Sequence, residues 1–317
     1  MSVQGIKVYC RIRPLKESEK SINYEVIKQK PGIDVLDVKF KASRNDLYQK
    51  YQYHRIFKEN TPQIMVFENV AVPILDKFLL GMNSTIFTYG QTSSGKTHTM
   101  YGSQEDRGII PRSFEYLFQR TEELHHDFSM EYIEIYNDDV YDLLIDANNL
   151  PLKKTKHTKL NEKLKFSISL KGDIKFKNLT KIKITNCNDA IKILEVVNTR
   201  KSVSSTSMNA QSSRSHCICM ISYKSKHKEM KLNLVDLAGS ERISKSVANK
   251  KILAESRSIN SSLHHLNHVI NILENPKLYV PYRNSTITSV LKGSLGTKCA
   301  TAMIATIVLN YQCIGVS

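Results

Sequence analysis

Several features that would place this chain in common classes of protein are missing from its sequence. No stretch of about eighteen apolar residues occurs, and the N-terminus "MSVQGIKVYCRIRP" has no long apolar core, which argues against a membrane-spanning helix and a secretion signal. No CxxC pair occurs, which argues against a disulfide framework and a zinc site; the cysteines are Cys10, Cys187, Cys217, Cys219, Cys299 and Cys313. We therefore expect a soluble, cytoplasmic chain with reduced cysteines and no membrane partner.

Acidic residues are few relative to basic ones. The 317 residues include 46 lysines and arginines against 30 aspartates and glutamates, a formal net charge of +16. Such a charge attracts an anionic polymer, a membrane surface or an acidic protein, and it does not choose among them. Eleven lysines cluster in residues 153–183, where a solvated strand and loop surface is the alternative to a binding site. The cluster does not show the regular interleaving of aromatic and basic residues expected of a single-strand nucleic-acid groove, so no nucleic-acid partner is expected.

Strand and helix patterns alternate along the chain. "KVYCRIRP", "STIFTYG", "SMEYIEIYN" and "KLNLVDLAG" have the alternation or the apolar content of strands. Helical spacing occurs in "TPQIMVFENVAVPILDKFLLG", with a kink expected at Pro73 and an end at Gly81, and in "NDAIKILEVVN", with an Asn or Asp cap. With 41% apolar residues and no internal repeat, the chain is predicted to form one α/β domain.

A further helix is predicted over "RSINSSLHHLNHVINIL", which buries one stripe and exposes the other. The stripe consists of Ile259, Leu263, Leu266, Ile270 and Leu273. His264, His265 and His268 lie off this stripe. Two histidines four residues apart could bind zinc, but no third ligand or HExxH pattern accompanies them, which disfavours a metal site there.

The stretch "GQTSSGKT", residues 90–97, lies between a predicted strand and a predicted helix, as a phosphate-binding loop requires. Gly90, Gly95 and the amides between them would wrap the phosphates at the helix N-terminus. Lys96 would neutralise the β and γ oxygens, and the Thr97 hydroxyl would bind magnesium.

Two later segments complete this chemistry. Asp236 ends the apolar strand "LNLVD", from which a carboxylate reaches the magnesium, and Gly239 could offer its amide to the γ-phosphate. "DLAG" also occurs in GTPases, but the sequence has no NKxD, which disfavours guanine specificity. The stretch "NAQSSRSH" has a density of hydroxyls that a magnesium-phosphate site would use, and a polar surface turn is the alternative.

Six motifs in order, "RIRP", "YGQTSSGKTHTM", "MNAQSSRSH", "LVDLAGSER", "INSSLHHLNHVI" and "YRNSTITSVLKGSLG", closely resemble the motor domain of the kinesin superfamily. The similarity runs from about residue 7 to residue 307. It implies a P-loop NTPase of the kinesin motor fold: α/β, with a central mixed, mostly parallel sheet and helices on both faces. It also implies a microtubule-stimulated ATPase that uses ATP and Mg²⁺ and moves on microtubules. A non-motile, nucleotide-binding microtubule scaffold is the alternative.

The resemblance also implies roles for residues that match the family's motifs. Arg11, Arg13 and Pro14 would flank the adenine, with His98 on its other side. The nucleotide-binding loop would consist of Gly90, Gln91, Thr92, Ser93, Ser94, Gly95, Lys96 and Thr97.

Two switch segments follow from the same resemblance. Ser213 would join Thr97 and Asp236 at the magnesium, and Ser212 would help to place the attacking water. Arg214 and Glu241 would form an ion pair that closes the two switches over the γ-phosphate, a bistable element that the nucleotide can bias. The implied catalytic set is Lys96, Ser212, Ser213, Arg214, Asp236, Gly239 and Glu241.

The helix beginning near Ile259 would dock on tubulin, an acidic partner suited to a positively charged surface. Lys250, Lys251 and Arg283 are expected in or near that face, and the lysine-rich strands before Lys183 overlap another part of the contact.

Within the family, "RGIIPR", "MNAQSSRSHC", "SLHHLNHVI" and "YRNSTITSVL" look most like the kinesin-nine subfamily, whose members serve cilia and flagella. The mitotic subfamily typified by centromere protein E is the runner-up. The loops "ISKSVANKKILAES" and "TKCAT" lack glycines usual in the family, which predicts stiffer loops. Residues 1–317 are expected to form a single motor domain, truncated or atypical after about residue 307, with any dimer formed through regions absent here.

Overall fold

The computed structural model describes most of the chain. The described residues are 5–20, 22–30, 32–41, 46–121, 127–145, 162–170, 174–207, 213–225, 228–241, 250–273, 275, 278–296 and 299–310. Ser212, residues 153–161, residues 242–249 and the residues after 310 lie outside these ranges. Predictions that fall on those residues stay predictions.

A nine-stranded sheet forms the centre of the fold. Its strands run β11–β7–β12–β13–β6–β14–β1–β5, and β8 pairs with β7. Their bounds are β1 Lys7–Ile12, β5 Arg55–Phe57, β6 Ser84–Tyr89, β7 Phe128–Tyr136, β8 Asp139–Asp142, β11 Ile182–Ile184, β12 His216–Ser225, β13 Lys228–Asp236 and β14 Ala300–Ile307. A three-stranded sheet contains β2 Asn23–Lys30, β3 Ile33–Lys41 and β4 Asp46–Tyr53, and a two-stranded antiparallel sheet pairs β9 Phe166–Ile168 with β10 Ile174–Phe176.

The central sheet is mixed, with its parallel part in one half. Strands β13, β6, β14, β1 and β5 are parallel neighbours, whereas β12, β7, β8 and β11 join by antiparallel pairing. Because β13 and β6 are parallel, their carboxyl ends meet at one edge, and the register places Asp236 beside Thr88. A loop that follows β6 and a carboxylate that ends β13 therefore lie next to each other.

Helices cover both faces of the sheet. Their bounds are α1 Gln63–Val66, a π-helical segment Phe67–Ala71, α2 Val72–Leu79, α3 Lys96–Met100, α4 Ile109–Arg120, α5 Cys187–Ser207, α6 Lys250–Leu273 and α7 Thr286–Leu291. Successive strand residues point to opposite faces. Ile86 packs in the core that contains residues of α1, α2, α4 and α5, whereas Phe87 packs in the core beneath α6 and α7. The predicted fold class, α/β with helices on both faces of a mixed sheet, is confirmed.

The predicted helices are present, with shifted details. Gly81 follows the second of the early helices at φ +94°, a conformation that favours glycine. The irregularity before it is the π-helical segment Phe67–Ala71, which precedes Pro73. In α6, Ile259, Leu263 and Leu266 are buried as predicted, while Ile270 and Leu273 are half-buried.

The described part of the chain holds no helix that is long and apolar enough to span a bilayer. The cysteines within it are unpaired: Cys10, Cys187, Cys217, Cys219 and Cys299.

Candidate functional site

The loop at residues 90–97 leaves β6 and enters α3 at the carboxyl edge of the parallel strands. Gly90 has φ +153°, and a Cβ at this position would collide with the carbonyl oxygen of Thr306. Gly95, the residue before α3, has φ +104°. The Ser94 hydroxyl lies 2.6 Å from that of Thr306, so β14 anchors the loop from behind. Glycine is therefore required at Gly90 by close approach and at Gly95 by backbone conformation.

Lys96 is buried, at 7% exposure, and faces the inside of this loop. Its ammonium donates to the carbonyl oxygens of Gly90 at 2.9 Å and Gln91 at 2.8 Å. Burial lowers the pKa of Lys96, and the carboxylates of Asp236 and Glu241 oppose that shift. The side chain is thus a positive charge with two neutral partners, which a phosphate could replace.

Thr97 and Asp236, the two residues expected at the magnesium, lie within hydrogen-bonding distance of each other. The Thr97 hydroxyl donates to Asp236 Oδ2 at 2.8 Å, and Thr88 Oγ1 lies 3.4 Å from Asp236 Oδ1. Asp236 is 6% exposed and Thr97 lies at the surface. A hydroxyl beside a single carboxylate is the oxygen donor set that Mg²⁺ uses when phosphates supply its other ligands, so these residues fit the ion.

Gly239 lies close to the loop, but its amide is already engaged. Its N–H donates to the carbonyl oxygen of Ser213 at 2.9 Å, and Ser240 N–H donates to the Gly90 carbonyl at 3.1 Å. The segment after Asp236 is therefore bonded both to the phosphate loop and to the segment that contains Ser213. To reach a phosphate, the Gly239 amide would have to leave Ser213.

The expected Arg214–Glu241 ion pair is not the pairing of this structure. Arg214 donates to Glu255 Oε2 at 2.7 Å, and Tyr136 donates to Glu255 Oε1 at 2.7 Å. Glu255, in α6, is 5% exposed, and a buried carboxylate needs such donors to offset its desolvation.

Glu241 has its own partner in the phosphate loop. Its carboxylate accepts a hydrogen bond from the Thr92 backbone N–H at 2.8 Å and another from the Thr92 hydroxyl. Amides of such loops bind anions, so the carboxylate satisfies a donor that a phosphate would otherwise meet. Each member of the expected pair thus has a competing partner.

Arg11 and His98, predicted beside the adenine, are joined by a residue that was not predicted. Gln63, which is 2% exposed, accepts from Arg11 at 2.6 Å and lies 3.0 Å from His98 Nδ1 through its amide nitrogen. Burial lowers the pKa of Arg11 to about 10, which leaves it charged, and burial together with Arg11 lowers the pKa of His98. His98 is exposed, so its ring is accessible to a ligand.

Arg13 is directed to another residue of its own segment. It donates to both carboxylate oxygens of Glu19 at 2.6 Å and to the Pro14 carbonyl oxygen at 2.8 Å. These bonds order the chain that follows β1. Arg13 is thus fixed by Glu19, a residue that lies outside the motif "RIRP".

Sequence reasoning missed Gln63, Glu255 and Glu19. Only Glu19 had an available signal, because it lies six residues after Arg13 in a short loop. Gln63 and Glu255 lie in helices near other polar residues, such as Ser256 and Arg257 beside Glu255, and nothing local distinguishes them from ordinary helix residues.

A glycine-bearing loop between a parallel strand and a helix, with a lysine turned into the loop and a carboxylate ending the neighbouring strand, defines a P-loop nucleoside triphosphatase. The comparisons with known proteins are more specific. The sequence profile of the kinesin motor domain matches residues 11–316, so the chain belongs to the kinesin family. Motor domains of this family bind nucleotide and microtubules and are microtubule-stimulated ATPases.

Individual relatives agree with the profile. Kinesin-related protein 13 of Dictyostelium discoideum is 36% identical over 96% of this chain, and human Kinesin-1 heavy chain is 36% identical over 95%. The chain spans 24% and 30% of the lengths of these two relatives. The solved motor domain of the Saccharomyces cerevisiae kinesin-like protein Kar3 superposes with a TM-score of 0.81 at 32% identity, covering 98% of this chain and 96% of that one.

Proposed function

We propose that this chain is a single motor domain that hydrolyses ATP with Mg²⁺ and couples the hydrolysis to binding and movement along microtubules. The observation that carries the proposal is the arrangement at the loop of residues 90–97: Lys96 bonds the Gln91 carbonyl oxygen inside the loop, and Thr97 bonds Asp236. The Gly239–Ser213 bond belongs to the segment that follows Asp236. That bond joins the two segments that would respond to the phosphate, and one of them also contacts α6 through Arg214.

The residues divide the chemistry as follows. Lys96 exchanges the Gly90 and Gln91 carbonyl oxygens for phosphate oxygens, and the loop amides bind the remaining charge. Thr97, Asp236 and Ser213 would hold Mg²⁺. The ion would supply charge neutralisation at the β and γ oxygens. Ser212 would orient the attacking water, and the Gly239 amide would meet the γ-phosphate.

With these partners, the segments that contain Arg214 and Glu241, the two switches, are in an open form in which the two residues do not pair. Arg214 is held by Glu255 and Glu241 by Thr92. A bound phosphate competes with the Glu241 carboxylate for the Thr92 amide, which frees Glu241 to receive Arg214. Closure of the pair is then linked to the loss of the Arg214 contact with α6, so the nucleotide changes how α6 is held.

The microtubule surface is proposed on the face that carries α6. Arg257, His264 and His268 are exposed on α6, and Arg283 is exposed beside it. Two large apolar residues that follow α6 in the chain, Leu278 and Tyr279, are 53% and 77% exposed. Exposed apolar side chains and exposed arginines on one surface suit an acidic protein partner better than free solvent.

Steady-state ATPase assays with and without microtubules test the proposal. We expect microtubules to raise turnover, and Lys96→Ala to abolish both basal and stimulated activity. A folded protein that hydrolyses ATP at the same rate with and without microtubules would contradict it. Gliding on a surface then separates a motor from a stationary scaffold: binding and stimulated hydrolysis without movement would favour the scaffold.

Within the family, the kinesin-nine resemblance supports a role in cilia or flagella. The full-length protein is proposed to dimerise through regions outside this chain. A tagged full-length protein located along the axoneme of ciliated cells would support the subfamily, whereas its accumulation at mitotic kinetochores would favour the centromere protein E type.

A further inference from the structure

A buried histidine in β12, which the proposed catalysis does not use, connects the segment after Asp236 to α6. His216, the first residue of β12, is 3% exposed. Its Nδ1 accepts a hydrogen bond from the Ala238 backbone N–H at 3.0 Å, and its Nε2 lies 2.9 Å from the Ser262 hydroxyl in α6. Ser262, itself 5% exposed, donates to the Ile259 carbonyl oxygen at 2.7 Å.

The direction of these bonds follows from the charge of the ring. Burial, and secondarily the Lys96 ammonium, lowers the pKa of His216 to about 3, so the ring is neutral at physiological pH. Since Nδ1 accepts from a backbone N–H, the proton of the neutral ring lies on Nε2. The Nε2–H therefore donates to Ser262, whose own proton goes to Ile259.

The two ends of this connection lie at informative places. Ala238 directly precedes Gly239, whose amide contacts Ser213 and is the proposed γ-phosphate sensor. Ser262 lies on the buried face of α6, and the exposed face of the same helix carries Arg257, His264 and His268. A shift of the Ala238 backbone would therefore displace the imidazole of His216, and the imidazole would in turn displace Ser262 and α6.

The segment of residues 214–216 contacts α6 at a second point besides Ser262. Arg214, two residues before His216, is paired with Glu255, which lies seven residues before Ser262 and thus about 10 Å along the helix. The Arg214 side chain is 21% exposed and has an alternative acid in Glu241, whereas His216 is enclosed and makes both of its bonds at once. The Glu255 contact can be exchanged while the Ser262 contact persists.

From this geometry, and resting on the proposed function, we propose that His216 is a positioning residue that transmits movement of the phosphate-sensing segment to α6. The imidazole touches no substrate. It acts as a rigid link between Ala238 and Ser262, about which α6 can turn when Arg214 leaves Glu255.

Two variants break the link at different atoms. His216→Asn keeps an acceptor near the Nδ1 position for Ala238 but has no atom that reaches Ser262. Ser262→Ala removes one hydroxyl and leaves the Ala238 bond intact. Ser113→Ala is the matched control, because Ser113 is fully buried and donates to the Ile109 carbonyl oxygen at 2.7 Å in α4, on the other face of the sheet.

Hydrogen–deuterium exchange measures whether nucleotide binding changes the protection of α6 amides. The exchange rates are compared with a non-hydrolysable ATP analogue and without nucleotide, in the absence of microtubules. We expect nucleotide to change exchange rates in the wild type and in Ser113→Ala by about fivefold or more, and in both link variants by less than about twofold. The double variant, His216→Asn with Ser262→Ala, should reduce the nucleotide-induced change in α6 exchange no more than either single variant does. Fluorescent nucleotide should bind all variants with affinities within about threefold, since none of the substituted side chains faces the phosphates.

An α6 response in both link variants as large as that of the wild type, despite lowered thermal stability, would overturn the proposal and leave His216 a structural residue. So would an α6 that does not respond to nucleotide in the wild type. Microtubule co-sedimentation of the wild type keeps the two proposals apart. Failure to bind microtubules would reject the proposed function, while a nucleotide response of α6 that the link variants lose would still uphold the connection.

Discussion

Lys96 and Glu241 both contact the phosphate loop, and a nucleotide would act on them in opposite ways. Lys96 donates to two carbonyl oxygens, which are weaker partners than phosphate oxygens. Glu241 is an anion bound to the Thr92 amide, where it competes with phosphate. At the residue scale, one side chain therefore gains an interaction when nucleotide binds and the other loses one.

The two alanine variants should accordingly differ. Lys96→Ala removes a charge-assisted contact to the phosphates in the ground state and should weaken ATP affinity by about 100-fold, near 3 kcal/mol. Glu241→Ala should bind ATP as tightly as the wild type or more so, yet lower microtubule-stimulated kcat by about 100-fold or more, because its role is to close the switches. Titration with a fluorescent ATP analogue and steady-state kinetics measure both. Equal losses of ATP affinity in the two variants would contradict the role of Glu241.

The lowered pKa of His216 predicts how the free energy of unfolding depends on pH. Its pKa of about 3 in the folded protein lies below the ordinary value of 6.5, so the unfolded chain takes up a proton first as the pH falls. Stability is then lost progressively as the pH drops below 6.5 towards 3. Between pH 6.5 and pH 5.0 this group should lower the free energy of unfolding by about 1.5 kcal/mol.

Urea unfolding at the two pH values measures this effect, with His216→Asn as the comparison. The variant should show a pH-dependent loss smaller by about 1.5 kcal/mol, whatever its stability at pH 6.5. The same difference between pH values in both proteins would show that His216 is not held neutral by the fold.

At the scale of the elements, helix ends and irregularities follow from local chemistry with small displacements. The expected kink at Pro73 is instead a π-helical turn that ends two residues earlier. Proline has no N–H to donate to the carbonyl four residues before it, here that of Asn69, and the wider turn avoids the clash with its ring. Helix α5 begins at Cys187, because the Asn186 side chain accepts from the Asp189 N–H at 2.9 Å.

The Asn186 cap gives the prediction at this scale. Asn186→Ala should lower stability by about 1 kcal/mol, or about 2 °C in Tm, since one amide of the first turn loses its acceptor. Asn60→Ala, a change of the same kind at an exposed turn residue, serves as the control in thermal unfolding. A cap role for Asn186 would be rejected if both variants melted at the same temperature.

At the scale of the whole molecule, the central sheet separates two tasks. The carboxyl edge of β6 and β13 holds the phosphate loop and Asp236, and the face beneath α6 and α7 holds the proposed partner surface. Helix α6 belongs to both, through its contacts with Arg214 and His216 on one side and its exposed residues on the other. A net charge of +16 adds a field that favours an acidic polymer.

The charge prediction uses cations of the described surface. The double variant Arg257→Ala with Arg283→Ala should weaken microtubule affinity by about tenfold at low salt and flatten its salt dependence, while basal ATPase is unchanged. Lys28→Ala with Lys58→Ala is the matched control, with the same charge change at exposed positions beside the small sheet and β5. Co-sedimentation across ionic strengths reads both. An equal effect of the two double variants would mean that net charge, not the α6 face, governs binding.

Where the sequence alone was sufficient, the relevant residues are neighbours in the chain or end a recognisable strand. The loop from Gly90 to Thr97 could be predicted because its residue types serve a backbone conformation that contiguous residues build. Asp236 could be predicted because it ends an apolar strand, and parallel strands bring their carboxyl ends to one edge. The buried stripe of α6 followed from its spacing for the same kind of reason.

Tertiary structure alone decided which distant groups are partners. Arg214 binds Glu255, 41 residues away, and Glu241 binds Thr92, 149 residues away, although the motifs suggested that the two would bind each other. Gln63 joins Arg11 to His98 without any local pattern. Such pairings depend on which buried charges and amides must be satisfied once the elements have packed. Spacing along the chain determines the elements, but the competition among buried partners exists only in the folded molecule.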